Sequence, residues 1–219
     1  MRIAIFGASG RIGGKLIQQA LEQGHPVQAL VRPQSISKIA VHPNLSLIAG
    51  SVENREDVLR ATASCDVVVS CLGMNRKSAS PWAQHTSPKT LLSTAAQNIV
   101  AALEAHSIKR LMYVSVAGAG NSWLKTSWLM RLVVKSSRIE DEVKDHTQAE
   151  AILRASALDW TIVRPVPLTD VPSIVELVPI EGRISPFLKV SRSSVAHWIL
   201  GHLEDSLTQC SALTLGIPA

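Results

Sequence analysis

The chain has 219 residues, of which 46% are hydrophobic and 18% charged, and its formal net charge at pH 7 is +5. This length suits one α/β domain with a sizeable core, and the composition excludes a disordered chain. Its basic residues are dispersed without interleaved aromatic side chains, so the positive charge favours attraction of small anions over nucleic-acid binding.

Metal, disulfide and membrane classes lack their usual patterns. The three cysteines form no CxxC pair and the seven histidines show no HxxxH or HExxH spacing, so we expect no metal and no disulfide framework. Apolar runs are too short for a signal-peptide core or a membrane span, which predicts a cytoplasmic protein without stable membrane insertion. A monomer and a homodimer both remain open.

The hydrophobic pattern predicts a β-α-β order. Nearly continuous apolar runs predict strands at residues 2–6, 27–31, 45–49, 66–71 and 110–115, and amphipathic stretches predict helices at 11–23, 55–63 and 88–106. A helix at 140–156 then leads into a strand at 160–163, and 193–203 forms the last predicted helix. The alternation predicts an α/β Rossmann-type, three-layer, doubly wound parallel sheet in a single domain spanning residues 1–219.

Two segments are expected on the substrate side of this domain. Residues 116–138 follow the fifth predicted strand, and residues 165–192 contain five prolines that favour loops and short strands over a helix. Loops beyond the carboxyl ends of parallel strands usually carry substrate specificity. We therefore expect a small substrate-side region made from these two segments.

A glycine-rich stretch follows the first predicted strand and opens the first predicted helix. It comprises Gly7, Ala8, Ser9, Gly10, Arg11, Ile12 and Gly13. Gly7 permits a tight turn, Gly10 lets the backbone approach a pyrophosphate, and Gly13 allows the helix to pack closely on the sheet. The helix N-terminus adds N–H donors and a positive dipole. The stretch therefore predicts a dinucleotide-binding loop.

Arg32 stands at the end of the second predicted strand. Dinucleotide-binding folds place there either an acidic residue for the ribose 2′-hydroxyl or an arginine for the 2′-phosphate. The planar guanidinium of Arg32 suits a phosphate, and Arg11 can reinforce it. This position predicts NADP(H) as the cofactor rather than NAD(H), with a solvated loop arginine as the alternative.

Several motifs together match one family pattern: residues 7–14 (GASGRIGG), 30–32 (LVR), 71–73 (CLG), 98–102 (NIVAA), 113–115 (YVS) and 158–165 (LDWTIVRP). The chain resembles the atypical short-chain dehydrogenase/reductases, in particular the NAD(P)H-binding group of flavin reductase/biliverdin IX-beta reductase. The resemblance implies a cofactor lying across Gly7, Gly10, Gly13, Arg32, Leu72 and Gly73. It also implies an adenine site at Ser51 and Val52, where the family commonly has Asp-Val.

The Tyr-x-x-x-Lys pair of most short-chain dehydrogenases has no counterpart. The only tyrosine is Tyr113, inside a predicted strand, and the family's Tyr and Lys positions fall on Val143 and Thr147. The resemblance implies a substrate carbonyl contact for Ser115, at the end of the fifth predicted strand. His146, on the following helix, is a candidate proton donor near neutral pH, with a surface histidine as the alternative.

Residues 120–138 contain apolar side chains at roughly helical spacing and no acidic residue. The segment is expected to be either a substrate lid with tryptophan stacking surface or a helix packed on the core or a second subunit, and contact with a membrane surface is disfavoured.

Two functions follow. The first is an NADPH-dependent oxidoreductase that reduces a small conjugated electron acceptor of the flavin, quinone or carbonyl type by direct hydride transfer, without the Tyr-Lys pair. The alternative is a non-catalytic NADP(H)-binding redox sensor or scaffold. An epimerase with tightly held NAD is disfavoured by Arg32 and by the missing catalytic tyrosine.

Overall fold

A computed structural model describes residues 1–78, 80–185 and 187–218. In chain order, its strands and helices are β1 (Ile3–Phe6), α1 (Arg11–Glu22), β2 (Val27–Val31), β3 (Leu45–Ala49), α2 (Arg55–Thr62), β4 (Val67–Ser70), α3 (Leu91–Ala105), β5 (Arg110–Val114), α4 (Trp128–Lys135), α5 (Ile139–Ala155), β6 (Asp159–Pro165), β7 (Leu168–Thr169), β8 (Val178–Pro179), β9 (Val190–Ser191), α6 (Arg192–Gly201) and β10 (Ser211–Gly216). Short 3-10 helices occupy Pro33–Lys38, Gly120–Lys125 and Ser206–Thr208.

The strands form one eight-stranded sheet in the order β3-β2-β1-β4-β5-β6-β10-β8. Its pairs are parallel except for β8, which runs antiparallel to β10. A separate parallel pair joins β7 to β9. The predicted Rossmann-type sheet in a single domain is therefore confirmed.

Helices cover both faces of the sheet. Helices α1 and α6 pack together on one face, while α2, α3 and α5 pack on the other. Strands β1, β4 and β5 are buried along their whole length, as expected for parallel strands covered on two sides. The layers leave the carboxyl edge of the sheet open between the connecting loops.

The predicted elements exist, but some boundaries differ. The helix expected at 88–106 begins at Leu91, where the buried carboxylate of Asp145 on α5 accepts hydrogen bonds from the backbone N–H groups of Leu92 and Ser93 at 2.7 and 3.1 Å. This cap comes from a distant helix, so no local signal marks it. Strand β10 was not predicted: its apolar run is short, and it joins the sheet by pairing in parallel with β6.

Among the described helices, none combines the length and the hydropathy needed to cross a bilayer.

Arg110 connects the C-terminal part of the chain to the sheet through hydrogen bonds. Its side chain lies in the protein interior, where Nε donates to the carbonyl of Leu203 at 2.8 Å and Nη2 donates to that of His202 at 2.9 Å. Nη1 donates to Thr161 Oγ1 at 2.7 Å. One side chain thus joins β5, β6 and the end of α6.

Replacing Arg110 with Ala should lower the free energy of unfolding by about 3 kcal/mol, because it leaves several buried acceptors without donors. Urea unfolding followed by circular dichroism measures the change. The exposed Arg55 on α2 serves as the control, since Arg55→Ala should cost less than about 0.5 kcal/mol. Equal losses for the two variants would contradict this role.

Candidate active site

A continuous cleft runs along the carboxyl edge of the sheet at its topological switch point. Strand β1 has β2 on one side and β4 on the other, so the connections that follow these strands diverge there. The cleft has a smaller lobe of about 380 Å³ and a larger lobe of about 690 Å³. Both lobes are lined by Ser9, Gly10, Cys71, Leu72, Gly73 and Asn75. These shared residues form the seam between the lobes.

The glycine loop has the geometry of a dinucleotide cradle. Gly7 has a φ of +82°, and a Cβ there would lie 2.6 Å from the carbonyl oxygen of Cys71. A Cβ on Gly13 would overlap the carbonyl oxygen of Gly7. Neither position tolerates a side chain, because the first needs a left-handed backbone and both lie against another backbone. The loop therefore brings the start of α1 against the ends of β1 and β4.

The N-terminus of α1 opens into the cleft at Gly10. Gly10 is the N-cap of α1. Because glycine has no side chain, no N-cap side chain accepts a hydrogen bond from the first backbone N–H groups of the helix. The first turn also carries no acidic residue. Uncapped N–H groups and an uncompensated helix dipole suit an anion such as a pyrophosphate.

The predicted cofactor residues fall into two groups. Ala8 and Gly13 belong to the glycine loop but are not among the residues that line either lobe. The other predicted residues line the cleft: Gly7, Ser9, Gly10, Arg11, Ile12, Arg32, Ser51, Val52, Leu72 and Gly73. Arg11 and Ile12 face the larger lobe, whereas Arg32, Ser51 and Val52 face the smaller one.

The smaller lobe has a basic end that sequence reasoning found only in part. Arg32 precedes the 3-10 helix Pro33–Lys38, and the lobe is also lined by the buried Ser35 and by Lys38. The spacing of a serine and a lysine three and six residues after Arg32 was an available signal. Two cations and a hydroxyl at one end of a cleft suit a phosphate group.

Another part of the smaller lobe's lining is held in place by hydrogen bonds to its backbone. The Ser51 N–H donates to Asp57 Oδ2 at 2.8 Å, and the Asn98 side-chain amide donates to the Val52 carbonyl at 2.8 Å. The hydrogen bond from the Ser51 N–H lowers the pKa of Asp57, followed by the side-chain hydrogen bond from Arg60. These contacts fix Ser51 and Val52 at the cleft wall.

Ser115 belongs to a buried polar network in the larger lobe. Its hydroxyl donates to Glu150 Oε1 at 2.7 Å, and Arg164 binds the same carboxylate through Nε, at 2.8 Å, and Nη2. Arg164 Nη1 also donates to Asn121 Oδ1 at 2.8 Å. Glu150 and Arg164 are almost completely buried. Because its proton is directed to Glu150, Ser115 presents acceptor lone pairs to the cleft.

His146 is buried on α5 and is not the surface histidine that was the alternative interpretation. It lines the larger lobe, and its Nδ1 lies 3.1 Å from the hydroxyl of Tyr113, with which it shares a hydrogen bond. Burial lowers the pKa of His146 to about 3. The ring is therefore neutral near pH 7, which corrects the expectation that it carries a proton to donate there.

Glu142 is an acidic group of the larger lobe that sequence reasoning missed. Burial raises its pKa, while Arg76 and His85 partly oppose this shift. A Cβ on Gly73 would lie 3.8 Å from Glu142 Oε1, which places the carboxyl group beside the seam. An available signal was its position directly before Val143, where the family's tyrosine is expected.

Two arginines converge on one carboxylate at the edge of the larger lobe. Arg11 Nη1 lies 3.3 Å from Asp170 Oδ2, and Arg192 Nη1 lies 2.7 Å from Asp170 Oδ1. Desolvation lowers the pKa of Arg192, and the charge of Arg11 adds to this shift. With one carboxylate between two guanidinium groups, this edge of the cleft is positively charged.

The segment at 120–138 borders the larger lobe. Its 3-10 helix Gly120–Lys125 leads into α4, from which Met130 and Val134 line the cleft. From the other substrate-side segment, Pro167, Leu168 and Ile184 line the same lobe.

In the part of the chain that the structure describes, no three His, Cys, Asp or Glu side chains come together in a group that would hold a metal ion. That the chain binds no metal stays a prediction.

Two adjacent glycines of α1 give a matched test of the close packing. Gly13→Ala should lower the free energy of unfolding by about 1–3 kcal/mol, because the new methyl group meets the Gly7 carbonyl. Gly14→Ala should raise it by up to about 1 kcal/mol, because the nearest atom lies 4.0 Å away and alanine favours the helix. Thermal and urea unfolding measure both, and a destabilised Gly14→Ala or an unaffected Gly13→Ala would refute the packing account.

Comparisons with known proteins agree with this geometry. An uncharacterized sugar epimerase, YhfK, from Bacillus subtilis (strain 168) is 26% identical over 98% of this chain and 94% of its own. Two further curated relatives, a probable reductase and a dehydrogenase, match only a segment, and the matches span 24% and 18% of their lengths.

Two solved structures share the whole fold. A short-chain dehydrogenases/reductase from Veillonella parvula DSM 2008 in complex with NADP has a TM-score of 0.78 and 23% identity, covering 100% of this chain and 95% of that one. ChuY, an anaerobillin reductase from Escherichia coli O157:H7, has a TM-score of 0.80 and 22% identity, covering 100% and 98%.

The family model described as NAD(P)H-binding matches residues 7–206, which include the glycine loop and every residue that lines the two lobes. The chain therefore belongs to the NAD(P)H-binding family, as the resemblance predicted.

Proposed function

We propose that this protein is an NADPH-dependent oxidoreductase that reduces a small conjugated acceptor by direct hydride transfer, without a Tyr-Lys pair. The observation that carries the proposal is the cleft whose two lobes meet at the seam, where Ser9 and Gly10 of the glycine loop lie beside residues 71–73 and Asn75. A dinucleotide laid across that seam would have its phosphates at the N-terminus of α1 and its reactive end at the larger lobe.

The residues of the smaller lobe suit NADP(H). The N–H groups at the start of α1 would hold the pyrophosphate, and Ser51 and Val52 would contact the adenine. Arg32, Ser35 and Lys38 would hold the 2′-phosphate, because a guanidinium, a hydroxyl and an ammonium supply the donors that this dianion requires.

The larger lobe suits a flat, partly apolar acceptor. Its volume of about 690 Å³ lies within the range of roughly 300–1,000 Å³ that is typical of small-molecule sites. Val114, Val116, Met130 and Val134 give it apolar walls that exclude water, while Arg11 and Arg192 at its edge attract anionic groups. The two substrate-side segments, residues 116–138 and 165–192, would together set the choice of acceptor.

NADPH, when bound, supplies a hydride, and the acceptor requires one proton in addition. We assign the donation of this proton to Glu142, whose carboxyl lies beside the seam and whose raised pKa keeps it protonated closer to neutral pH. Ser115, held by Glu150, would accept a hydrogen bond from the acceptor or the cofactor. Neutral His146 would contribute to the wall of the site rather than supply the proton.

The names of the similar proteins support this assignment. The neighbour from Veillonella parvula binds NADP, and ChuY is named a reductase of anaerobillin. The name of YhfK, a sugar epimerase, gives weaker support for an epimerase function of this chain. Arg32 occupies the place of the acidic residue that would favour NAD.

A non-catalytic NADP(H) sensor or scaffold is the second candidate. The observation that favours it is the position of Tyr113, which is buried in β5 and bound to His146 instead of standing in the cleft. An assay of NADPH oxidation with flavins, quinones and conjugated carbonyls separates the two functions. Turnover with one of these classes supports the reductase, whereas tight NADPH binding with no turnover in any of them supports the sensor.

Arg32→Glu should weaken NADPH binding by at least about 10-fold, or about 1.4 kcal/mol, and leave NADH binding nearly unchanged. The variant replaces an attraction to the 2′-phosphate with a repulsion. Tryptophan fluorescence titration with both cofactors measures the effect. Arg183→Glu makes the same charge change at an exposed position outside both lobes and should alter neither affinity. A wild-type preference for NADH would overturn the cofactor assignment.

Glu142→Gln should slow acceptor reduction by roughly 100-fold at low pH and remove one titration from the pH profile. In the wild type, the rate should fall as the pH rises through the raised pKa of Glu142, because the protonated form is the donor. The decay of NADPH absorbance in a stopped-flow instrument, recorded across pH, gives the rate for the wild type and for Glu142→Gln. Glu140→Gln, which changes a neighbouring carboxylate paired with Lys144, should keep the wild-type profile. An unaltered profile in Glu142→Gln would exclude the proposed donor.

A further inference from the structure

A cluster of exposed apolar side chains lies on and just before α4. Leu124, Trp128, Leu129 and Leu132 have exposed fractions of 77%, 75%, 45% and 58%. Scattered exposed leucines are ordinary on protein surfaces, but a tryptophan and three leucines, all exposed within nine residues, are an unusual concentration of exposed apolar side chains. We call these four residues the α4 surface.

Three residues of the α4 surface, Trp128, Leu129 and Leu132, lie on the outer side of α4, whose inner side lines the larger lobe. At about 100° per residue, Trp128 and Leu132 lie within roughly 40° of each other around the helix axis, and Met130 and Val134 lie on the opposite side. Met130 and Val134 line the larger lobe. Packing within the fold therefore explains the apolar residues on the inner side of α4. It does not explain the exposed apolar residues on the outer side.

The charged residues of the segment that carries the α4 surface are all positive, and the nearest carboxylates, Glu140 and Asp141, follow it beside Lys135 and Arg138. Residues 120–138 include Lys125, Arg131, Lys135 and Arg138 and contain no Asp or Glu. Lys125, Lys135 and Arg138 are exposed. A symmetric contact between two copies would bring the cations of one copy close to the same cations of the other. The segment has no carboxylate that could pair with them, so this contact would be repulsive.

We propose that the α4 surface binds reversibly to an anionic lipid membrane surface, a contact that the sequence alone disfavoured, because the structure leaves Trp128 and Leu132 exposed on the same segment as the exposed Lys125 and Lys135. Trp128 and the three leucines would enter the interface between headgroups and acyl chains, where the indole ring is favoured. Lys125 and Lys135 would pair with the anionic headgroups. A helix of eight residues with one apolar side lies on such a surface and does not cross it. The proposal is independent of the proposed reductase activity.

The test is co-sedimentation of the full chain with sucrose-loaded vesicles of equal parts phosphatidylglycerol and phosphatidylcholine, compared with vesicles of phosphatidylcholine alone. The wild type should bind the anionic vesicles at least about 10-fold more tightly than the neutral ones. Quenching of tryptophan fluorescence by brominated lipid should accompany binding, because Trp128 enters the bilayer interface.

Two variants separate the apolar and the charged contributions. Trp128→Ser/Leu132→Ser should lose at least about 10-fold in affinity, and Lys125→Ser/Lys135→Ser should lose the preference for anionic vesicles. The control Val41→Ser/Leu207→Ser removes two side chains that are 97% and 92% exposed elsewhere and should bind as the wild type does. Circular dichroism verifies that each variant is folded.

Any one of three results would overturn the proposal. These are a wild type that stays in the supernatant with anionic vesicles, a Trp128→Ser/Leu132→Ser variant that binds as the wild type does, and self-association in sedimentation velocity that the same variant abolishes without any vesicle binding by the wild type.

Discussion

The close contact between Gly13 and the carbonyl of Gly7 determines where the cleft lies. Because a Cβ at Gly13 would overlap that oxygen, α1 approaches the end of β1 more closely than any other residue would allow. Gly7 turns with a positive φ against the carbonyl of Cys71, which follows β4. The starts of two loops and a helix N-terminus thus meet at one place. The two lobes share this seam, so the proposed dinucleotide and its acceptor would lie in one continuous space.

The larger lobe depends on a buried ion pair. Removing Glu150 and Arg164 from water costs several kcal/mol per ion, and their mutual hydrogen bonds offset this cost only with good geometry. The carboxylate accepts from Arg164 and from Ser115, and Arg164 also donates to Asn121. A Cβ on Gly120 would collide with both members of the pair, so glycine allows the inserted segment to lie over them. The network thereby ties that segment to the cleft and fixes the orientation of Ser115.

Local patterns predicted the fold and the type of cofactor because their causes are local. A glycine spacing reports backbone geometry, and Arg32 reports the charge at a strand end. Other features arise from residues distant in sequence. Asp145 caps α3 from another helix, and His146 becomes neutral because the packed layers bury it. The role suggested for Glu142 follows from its position beside Gly73, a neighbour 69 positions away in the chain. Sequence spacing alone contains no information of this kind.

The central claim is that hydride passes directly across the seam from NADPH to an acceptor in the larger lobe. Its most direct test is turnover of a conjugated carbonyl, which receives hydride at carbon, with NADPH carrying deuterium at nicotinamide C4. Mass spectrometry of the reduced product should find one deuterium from one of the two C4-labelled forms and none from the other, because a fixed cleft presents one face of the ring. Reduced product without deuterium from either form would contradict the account, and so would the absence of NADPH oxidation with conjugated carbonyls, flavins and quinones alike.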